Sequence, residues 1–327
     1  MNDFDEKIKL SPIDKRILSV ISKEGFKTER QLAEKLRLSQ TTVNYKLKRL
    51  EANRVIEGYR FRLDTYLLGY TASAYAFFVL KRGLKISDVM KKLAAYPETK
   101  IVLLVSGDYD LCVKLVGRSQ EHIFELVSRI GNEQKALLRH GTILFSVNSF
   151  KKHNIPVKQG SQIRLNNAEA EILKLRINEP ELKLSEVAKK LGMHRNTVSG
   201  KWNEFWEKGL VLKKSALINP LYYPDIGIGF TAFLSVDAEM GSVEKLMRFF
   251  LEREEVHELS QISSRPDLLA FVRTKDITAF ASFFKDLHSN PQLVPYLLRI
   301  KANPVLDSLN KKPTYEEEIN HALKSKD

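Results

Sequence analysis

A short stretch near the N-terminus carries side chains that can read and hold DNA. Gln40 and Asn44 have amides that can pair with the edge of adenine, and Thr41 can touch a thymine methyl group. Basic side chains between them suit phosphate oxygens. Apolar residues recur at helical spacing in the same stretch, at Val43, Leu47 and Leu50. This pattern predicts a helix that buries one face and presents the polar groups of the other to the major groove.

The predicted DNA contacts extend beyond this helix. Thr42, near the helix start, suits a base or a phosphate, and the basic residues suit phosphates. The start of the preceding helix and the strand, or wing, that follows contribute further basic residues. The predicted contacts are Gln40, Thr41, Thr42, Asn44, Tyr45, Lys46, Lys48 and Arg49 on the helix, Lys27 and Arg30 before it, and Arg60 and Arg62 on the wing.

The chain contains this pattern twice. Residues 31–56 read QLAEKLRLSQTTVNYKLKRLEANRVI, and residues 186–211 read EVAKKLGMHRNTVSGKWNEFWEKGLV. A constant offset superposes identical residues, for example Thr42 on Thr197 and Lys46 on Lys201. Each segment has the helix, tight turn and helix of a helix-turn-helix reader. The repeat is therefore a duplicated domain and not a solenoid unit.

The second copy is the weaker reader. Gly200 replaces Tyr45, which costs about 1 kcal/mol of helix stability relative to alanine. Glu204 replaces Arg49, and a carboxylate there repels phosphate. The candidate DNA contacts of the second helix are Arg195, Asn196 and Lys201. A structural or partner-facing role for this copy is the alternative.

The charge distribution supports this ranking. Residues 1–160 hold 29 basic and 17 acidic side chains, a net charge of +12, whereas residues 161–327 hold 24 and 23, a net charge of +1. Because double-stranded DNA is a polyanion, the excess in the first copy makes that copy the main candidate for DNA binding.

The composition limits the classes of protein to which this chain can belong. The 43% hydrophobic and 28% charged content is that of a globular protein, and no apolar run reaches the ~18 residues of a membrane span. The charged N-terminus is unlike a signal peptide, so we expect a cytoplasmic protein without a membrane partner. Cys112 lies in an apolar run and is predicted to be buried. The histidines are scattered, so we expect no metal site. The sequence has no phosphate-binding glycine loop and no nucleophile–base pattern, so we expect no cofactor, no catalytic residue and no enzyme.

Coarse patterning gives an α+β fold: two winged helix-turn-helix domains that alternate with two ferredoxin-like βαββαβ domains. In each copy, three helices and the wing precede a strand, a helix, two strands, a helix and a strand. The predicted bounds are 1–66 for the first reader, 67–151 for the first βαββαβ domain, 152–166 for a linker, 167–224 for the degenerate second reader, 225–312 for the second βαββαβ domain and 313–327 for a tail that is a frayed helix or disordered.

These elements and motifs resemble the Lrp/AsnC family of transcription regulators. The resemblance rests on IDKRIL, TVNYKLKRLEANRVIEGYRF and VSGDYD, which occur in family order from Pro12 to about Lys151. It implies a winged reader joined to a domain called RAM, which dimerises and can bind amino acids or other small metabolites. Copy two matches in order and hydrophobic pattern, so the chain resembles a tandem duplication of a unit that most family members carry once.

The resemblance also implies an effector site at Gly107, Asp108, Tyr109 and Asp110. Glycine lets backbone N–H groups approach a carboxylate, and an acidic side chain suits an amino group. The alternative is a tight turn that uses glycine and aspartate for their conformational tolerance. Copy two has Ser264-Arg265-Pro266-Asp267 there, which lacks the glycine and reverses one charge.

The sequence therefore predicts a sequence-specific regulator that binds double-stranded DNA and responds to a small metabolite such as an amino acid. Either the two RAM domains pair within the chain as a pseudo-dimer, or they pair between chains as a homodimer. One alternative is an enzyme related to the sirohaem decarboxylases, whose basic and histidine-rich motif is reduced here to His257 and Arg265. The other is a metabolite sensor that acts only on proteins.

Overall fold

The structure, a computed structural model, describes residues 7–152, 155–156, 161–309 and 315–324. The first half holds helices α1 (Pro12–Lys23), α2 (Glu29–Leu36), α3 (Gln40–Ala52), α4 (Ile86–Ala94) and α5 (Gln120–Glu133), and strands β1 (Ile56–Leu63), β2 (Ala72–Leu80), β3 (Thr99–Val105), β4 (Leu111–Gly117), β5 (Leu138–Lys152) and β6 (Ile155–Pro156). The second half holds helices α6 (Asn167–Asn178), α7 (Leu184–Leu191), α8 (Arg195–Glu207), α9 (Val243–Glu252), α10 (Ile277–Ser289) and α11 (Glu316–Lys324), and strands β7 (Val211–Ile218), β8 (Phe230–Ala238), β9 (Val256–Ile262), β10 (Leu268–Thr274) and β11 (Leu297–Leu309).

The first helix of each half begins with the same reciprocal cap. The Ser11 hydroxyl accepts the Asp14 N–H at 3.2 Å, while the Asp14 carboxylate accepts the Ser11 N–H at 2.8 Å. Asn166 and Glu169 repeat the arrangement at 2.9 and 3.0 Å. Such caps satisfy amide groups that the helix leaves without partners, and each stabilises the fold by about 0.5–2 kcal/mol.

Eight strands form one closed sheet from both halves. Strands β5, β2, β4 and β3 form the four-stranded sheet of the first half, and β11, β8, β10 and β9 form that of the second. β3 pairs with β11 and β5 pairs with β9, both antiparallel, and these two seams close the ring. Helices α4 and α5 cover one outer face, and α9 and α10 cover the other. The two halves therefore pair within a single chain.

Large apolar side chains fill much of the space inside the closed sheet. Tyr75 and Phe77 of the first half pack against Phe233 of the second, with ring centroids 5.9 and 6.3 Å apart. Cys112 is buried beside them, as the sequence predicts. Phe271 packs against Phe233 in a tilted arrangement, with ring centroids 4.9 Å apart. Aromatic packing across the inside of the closed sheet thus adds to the strand hydrogen bonds that join the halves.

The predicted strand, or wing, after α3 is β1. It pairs antiparallel with β7, the corresponding strand of the second copy, a partner that the sequence does not indicate. Along β1, Tyr59 packs into the core of the first helix-turn-helix, whereas Phe61 packs into the core of the second. β7 does the reverse, since Ala216 and Ile218 lie in the core of the first reader. This shared pair of strands is called the wing sheet below.

The described part of the C-terminal tail is ordered, contrary to the predicted frayed or disordered segment. Tyr315 and Ile319 of α11 are buried in the core of the second reader. The Tyr315 hydroxyl accepts the Leu63 N–H of β1 at 3.3 Å, and Glu318 forms a buried ion pair with Lys100. The amphipathic spacing of this segment predicts a helix, but its docking site is assembled from distant parts of the chain. Residues 313–314 and 325–327 of the predicted tail, and 153–154 and 157–160 of the predicted linker, lie outside the described residues.

The tight turn between the second and third helices is left-handed in both copies. Arg37 has φ 54° and ψ 47°, and Gly192 has φ 63° and ψ 28° at the equivalent position. A side chain with a Cβ atom is strained in this region by about 1–2 kcal/mol, whereas glycine is not. Nothing lies within 4 Å of a Cβ atom built on Gly192, so backbone strain, and not crowding, separates the two positions.

We expect Arg37→Gly to raise the free energy of unfolding by about 0.5–1 kcal/mol, because relief of strain exceeds the entropic cost of glycine. Gly192→Arg, the matched change in the other copy, should lower it by a similar amount. Urea unfolding of both variants beside the parent chain measures the differences. Equal stability of all three proteins would show that the turn conformation carries no strain.

Candidate nucleic-acid interface and the cavity beneath it

Helix α3 presents a polar face to solvent. The Ser39 hydroxyl caps the helix by accepting the Thr42 N–H at 3.0 Å, and Val43, Leu47 and Leu50 are buried as predicted. The opposite side leaves the side chain of Tyr45 65% exposed. The other exposed predicted contacts on this helix are Gln40, Thr41 and Lys48, and Thr42 and Asn44 are half-buried. These residues can meet base edges and phosphates without any rearrangement of the helix.

Two of the predicted phosphate contacts are engaged inside the protein. Asp14 of α1 is fully buried, and its carboxylate lies 3.2 Å from the Lys46 ammonium and 3.4 Å from the Arg49 guanidinium. Burial raises the pKa of Asp14, but hydrogen bonds from Ser11 and the nearby Lys46 outweigh it and hold that pKa below its ordinary value. Lys46 and Arg49 therefore hold α3 against α1 and are less free to meet phosphate than the sequence predicts.

The basic residues near α2 have mixed surroundings. Arg30 is exposed and pairs with Glu34 one turn along the helix at 3.0 Å, a contact that a phosphate can displace at little cost. The Lys27 ammonium lies 5.6 Å from the centre of the Trp206 ring in the second copy. The structure thus leaves Arg30 at the surface beside α3 and places Lys27 against the other reader.

The second reader helix, α8, is less basic at its surface. Arg195 and Asn196 are exposed at its start. Lys201 lies between two carboxylates, 2.8 Å from Glu169 and 3.1 Å from Glu204, and these contacts raise its pKa. Trp202 is buried against Phe61 of the wing sheet with ring centroids 4.8 Å apart. Lys201 is the counterpart of Lys46, and in both copies this lysine is paired with an acid on the first helix.

The predicted effector loop connects β3 to β4, at a seam between the halves. The Asp110 carboxylate accepts the Leu80 N–H at 2.7 Å, and Asp108 pairs with Lys301 of β11. The Tyr109 hydroxyl donates to the Thr142 hydroxyl at 2.9 Å. Gly107 has φ 127°, and a Cβ atom there would collide with the side-chain amide of Asn303. The structure thus brings the four residues together as a turn with internal partners.

The copy-two turn repeats the hydrogen bond of Asp110 with different neighbours. The Asp267 carboxylate accepts the Ala238 N–H at 2.8 Å. The Arg265–Pro266 peptide bond in this turn is cis, and the turn has Ser264 where the first copy has Gly107. The shared aspartate is consistent with the turn interpretation of Asp110, because the same contact occurs where the glycine is lost.

Arg60 and Arg62 are not on an exposed wing. They alternate with Tyr59 and Phe61 along β1, and they face a cavity of about 740 Å³ between the wing sheet and the end of the closed sheet. Arg62 is opposite Lys213 in the wing sheet. A position on this internal wall does not suit DNA contact, so the structure separates the two wing arginines from the predicted DNA surface.

Sequence reasoning missed the cavity. Its walls also contain Lys213 of β7, Arg273 of β10 and His257 of β9. The alternation of cations with aromatic residues in YRFRL is the one signal that could have indicated it, because alternation in a strand predicts two different faces. The pattern alone does not say that the basic face is covered by another part of the chain.

Two titratable side chains in the cavity wall, Lys213 and His257, have pKa values below their ordinary ones. The pKa of the Lys213 ammonium is lowered to about 7 by burial and by the like charges of Arg62, Arg273 and Arg60. Burial and nearby cations, Arg273 first among them, also hold the pKa of His257 well below its ordinary value. The Lys213 ammonium donates to the Lys23 carbonyl at 2.7 Å, so this cavity residue also touches the end of α1.

The part of the chain that the structure describes contains no cluster of histidine, cysteine, aspartate and glutamate able to hold a metal ion. None of its helices is long and apolar enough to cross a membrane.

Comparison with known proteins assigns the class. The family profile described as "Winged helix-turn-helix DNA-binding" matches residues 10–57. The HTH-type transcriptional regulator FL11 of Pyrococcus furiosus is 30% identical over 149 residues, which cover 46% of this chain and 97% of that relative. The HTH-type transcriptional regulator LrpB of Bacillus subtilis is 26% identical over 149 residues, covering 45% of this chain and 94% of that relative.

A solved structure is similar over nearly the whole chain. The siroheme decarboxylase NirDL, in complex with an iron-uroporphyrin III analogue, superposes with a TM-score of 0.61. The match covers 94% of this chain and 96% of that one at 17% sequence identity, so the likeness concerns the fold.

An exposed, capped reader helix within a winged helix-turn-helix defines the class of HTH-type transcriptional regulators. Because the similarity to FL11 covers almost all of that regulator, the chain belongs to the Lrp/AsnC family of that class.

The lowered pKa of Lys213 predicts a specific pH dependence of stability. Between pH 7 and the ordinary value of 10.5, the unfolded chain keeps this proton and the folded chain releases it. Rising pH therefore favours folding, by at most about 1.4 kcal/mol per pH unit. We expect the free energy of unfolding of the parent chain to rise between pH 7 and 9 relative to that of Lys213→Met.

The surface variant Lys208→Met serves as the control, since its lysine lies on the surface beside Glu204. It should show the same pH dependence as the parent chain in urea unfolding. Parallel curves for the parent chain and Lys213→Met would contradict the prediction.

Proposed function

We propose that the protein is a transcription regulator that binds double-stranded DNA sequence-specifically through α3. The observation that carries the proposal is the outward face of α3, where Gln40, Thr41, Tyr45 and Lys48 are exposed on a capped helix. Amide and hydroxyl groups at the start of such a helix discriminate bases, and lysine adds affinity for phosphate. The known regulators FL11 and LrpB support this assignment by their similarity.

We further propose that the chain is a tandem pair of reader and RAM units, with the domain bounds given by the sequence. The repeated caps, left-handed turns and acid–lysine pairs of the two halves support a duplication. The seams β3–β11 and β5–β9 support an intrachain pseudo-dimer. One basic and one more acidic reader on the same frame suit an asymmetric DNA site. Assembly of further copies into a homodimer remains a prediction.

An amino-acid effector at residues 107–110 also remains a prediction. The internal contacts of Asp108 and Asp110 favour the turn over the effector site, because a ligand amine would have to displace Lys301 or the Leu80 N–H. We also propose a cytoplasmic location, which is the location that the sequence predicts.

The reader can be tested by selecting duplexes from a random pool with the full-length chain and then measuring affinity over a salt series. We expect Lys48→Ala to reduce the slope of log K against log salt by about 0.9, the value for one phosphate. Asn203→Ala, at the equivalent exposed position of α8, is the matched control and should leave the slope unchanged. Equal slopes in all three proteins would remove Lys48 from the interface.

Base reading is tested by Gln40→Ala on the same selected duplex. We expect a loss of about 1–3 kcal/mol in binding free energy and relaxed specificity at one base pair. Arg195→Ala, the equivalent change in copy two, then reports whether α8 also contacts DNA. Failure of the full-length chain to bind any selected duplex at low salt would overturn the proposed function.

The enzyme alternative has one structural observation in its favour, a cavity with histidine and cations in a fold like that of NirDL. We propose that this chain is not a sirohaem decarboxylase, because its outward reader face and its regulator relatives serve DNA binding. Anaerobic incubation with sirohaem, followed by mass spectrometry, should leave the carboxylates of the tetrapyrrole intact. Loss of carbon dioxide from the tetrapyrrole at a rate above the protein-free control would contradict this.

A further inference from the structure

A local two-fold axis at the wing sheet relates the two readers. The constant offset between the copies makes Arg60 equivalent to Ser215, and these two residues lie opposite each other in the antiparallel pairing of β1 with β7. The flanking pairs follow the same symmetry, and they are Tyr59 with Ala216 and Phe61 with Lys214. Because each strand repeats the pairing of the other in reverse, the axis passes between Arg60 and Ser215.

This axis sets α3 and α8 in equivalent positions about one centre. A duplex has two-fold axes of its own, and a pair of readers related in this way places its helices in major grooves one helical turn, about 34–36 Å, or a multiple of it apart. Gln40 is the first residue of α3, and its equivalent Arg195 is the first residue of α8. Each follows a cap residue, Ser39 or His194, whose side chain accepts a backbone N–H of its helix. The same local frame therefore presents two different side chains to related base pairs.

The two first residues favour different bases. Both Gln40 and Arg195 are exposed. A glutamine amide can accept from N6 and donate to N7 of adenine, whereas a guanidinium donates to both O6 and N7 of guanine. Guanine offers the glutamine oxygen no donor at this edge, and adenine offers a donor where arginine has no acceptor. Each reader therefore selects against the base pair that suits the other.

Further equivalent positions add to the difference. Thr41 can touch a thymine methyl group, whereas Asn196 can pair with adenine, and both are exposed. The side chain of Tyr45 is 65% exposed, whereas nothing lies within 4 Å of a Cβ atom built on its equivalent, Gly200. The first reader thus fills space that the second leaves open. A palindromic duplex, which offers the same bases to both helices, cannot satisfy both readers.

From this arrangement we infer that the duplex bound by this chain has two unlike halves, with an A·T pair under Gln40 and a G·C pair at the equivalent position under Arg195. These two side chains determine the difference, and the chain binds in one orientation, since rotation about the axis would place each of them over the wrong base pair. The inference rests on the proposed function and extends it, because it assigns base reading to α8 and names the bases.

The first experiment selects duplexes from a random pool with the full-length chain. The selected site should contain two half-sites one helical turn, or a multiple of it, apart, with A·T in one half and G·C at the equivalent position of the other. Replacing either pair by the other should weaken binding of the parent chain at least about tenfold.

The second experiment uses reciprocal variants on the parent's selected duplex and its two single replacements. Arg195→Gln should prefer A·T to G·C in the second half by about tenfold and keep the parent's preference in the first half. Gln40→Arg should prefer G·C to A·T in the first half by a similar factor. Each variant thus reports which reader lies on which half, and hence the orientation. Circular dichroism of both variants should match that of the parent chain, because both positions are exposed.

Lys208→Met is the control, since Lys208 caps the opposite end of α8. It should keep the parent's base preference in both halves, and a change like that of Arg195→Gln would overturn the inference. An unchanged base preference in either reciprocal variant, a selected site with identical halves, or a selected site with only one half would also overturn it, while leaving the proposed function intact. Failure of the full-length chain to bind any selected duplex at low salt would overturn both.

Discussion

The antiparallel pairing of β1 with β7 is the contact on which the rest of the molecule depends. Each strand begins beside its own helix-turn-helix and ends in the core of the other one, so the two reader domains share their walls. Phe61 shows the result, since it comes from the first copy and packs on Trp202 of the second. The Arg176 guanidinium lies 4.9 Å from both rings and caps the cluster. Neither reader has a complete core without the other half of the chain.

This shared sheet also explains why a cationic cavity is tolerated. Guanidinium groups that repel one another would separate if their strands were free to move. Here the opposite face of the wing sheet is fixed by apolar contacts in two cores, and the closed sheet beneath is fixed by eight paired strands. Hydrophobic burial on one face thus maintains unfavourable electrostatics on the other, a pattern typical of functional sites. Lys114 and Lys100 show the contrasting solution, because each has a carboxylate beside it.

Much of this structure could be predicted from the sequence where periodicity and local chemistry decide it. The buried face of α3 follows from the spacing of Val43, Leu47 and Leu50, and the strand position of Cys112 follows from its apolar neighbours. Residues whose role depends on a distant partner could not be assigned in this way. Nothing near Lys46 in sequence reveals that Asp14 will be buried against it.

The prediction that Arg60 and Arg62 contact DNA was wrong for a related reason. The alternation in YRFRL predicts that the strand has one apolar and one polar face. Polar residues suit that second face both where it meets water and where it meets a second domain, so the pattern does not distinguish the two. Which of the two covers Arg60 and Arg62 depends on the partner strand, and β7 is more than a hundred residues away. The C-terminal helix posed the same difficulty, because its amphipathic pattern is local whereas its docking site is assembled from β1 and α6.

The two seams of the closed sheet limit which other proteins can pair with this chain through its strands. Strands β3, β5, β9 and β11 have their pairing edges occupied by partners on the same chain, at a local concentration that does not fall on dilution. A related regulator in the same cell finds no open strand at these seams with which to form a mixed assembly. The two readers are therefore inherited and produced as a fixed pair, insulated from subunit exchange, and each can diverge without having to remain compatible with a copy of itself.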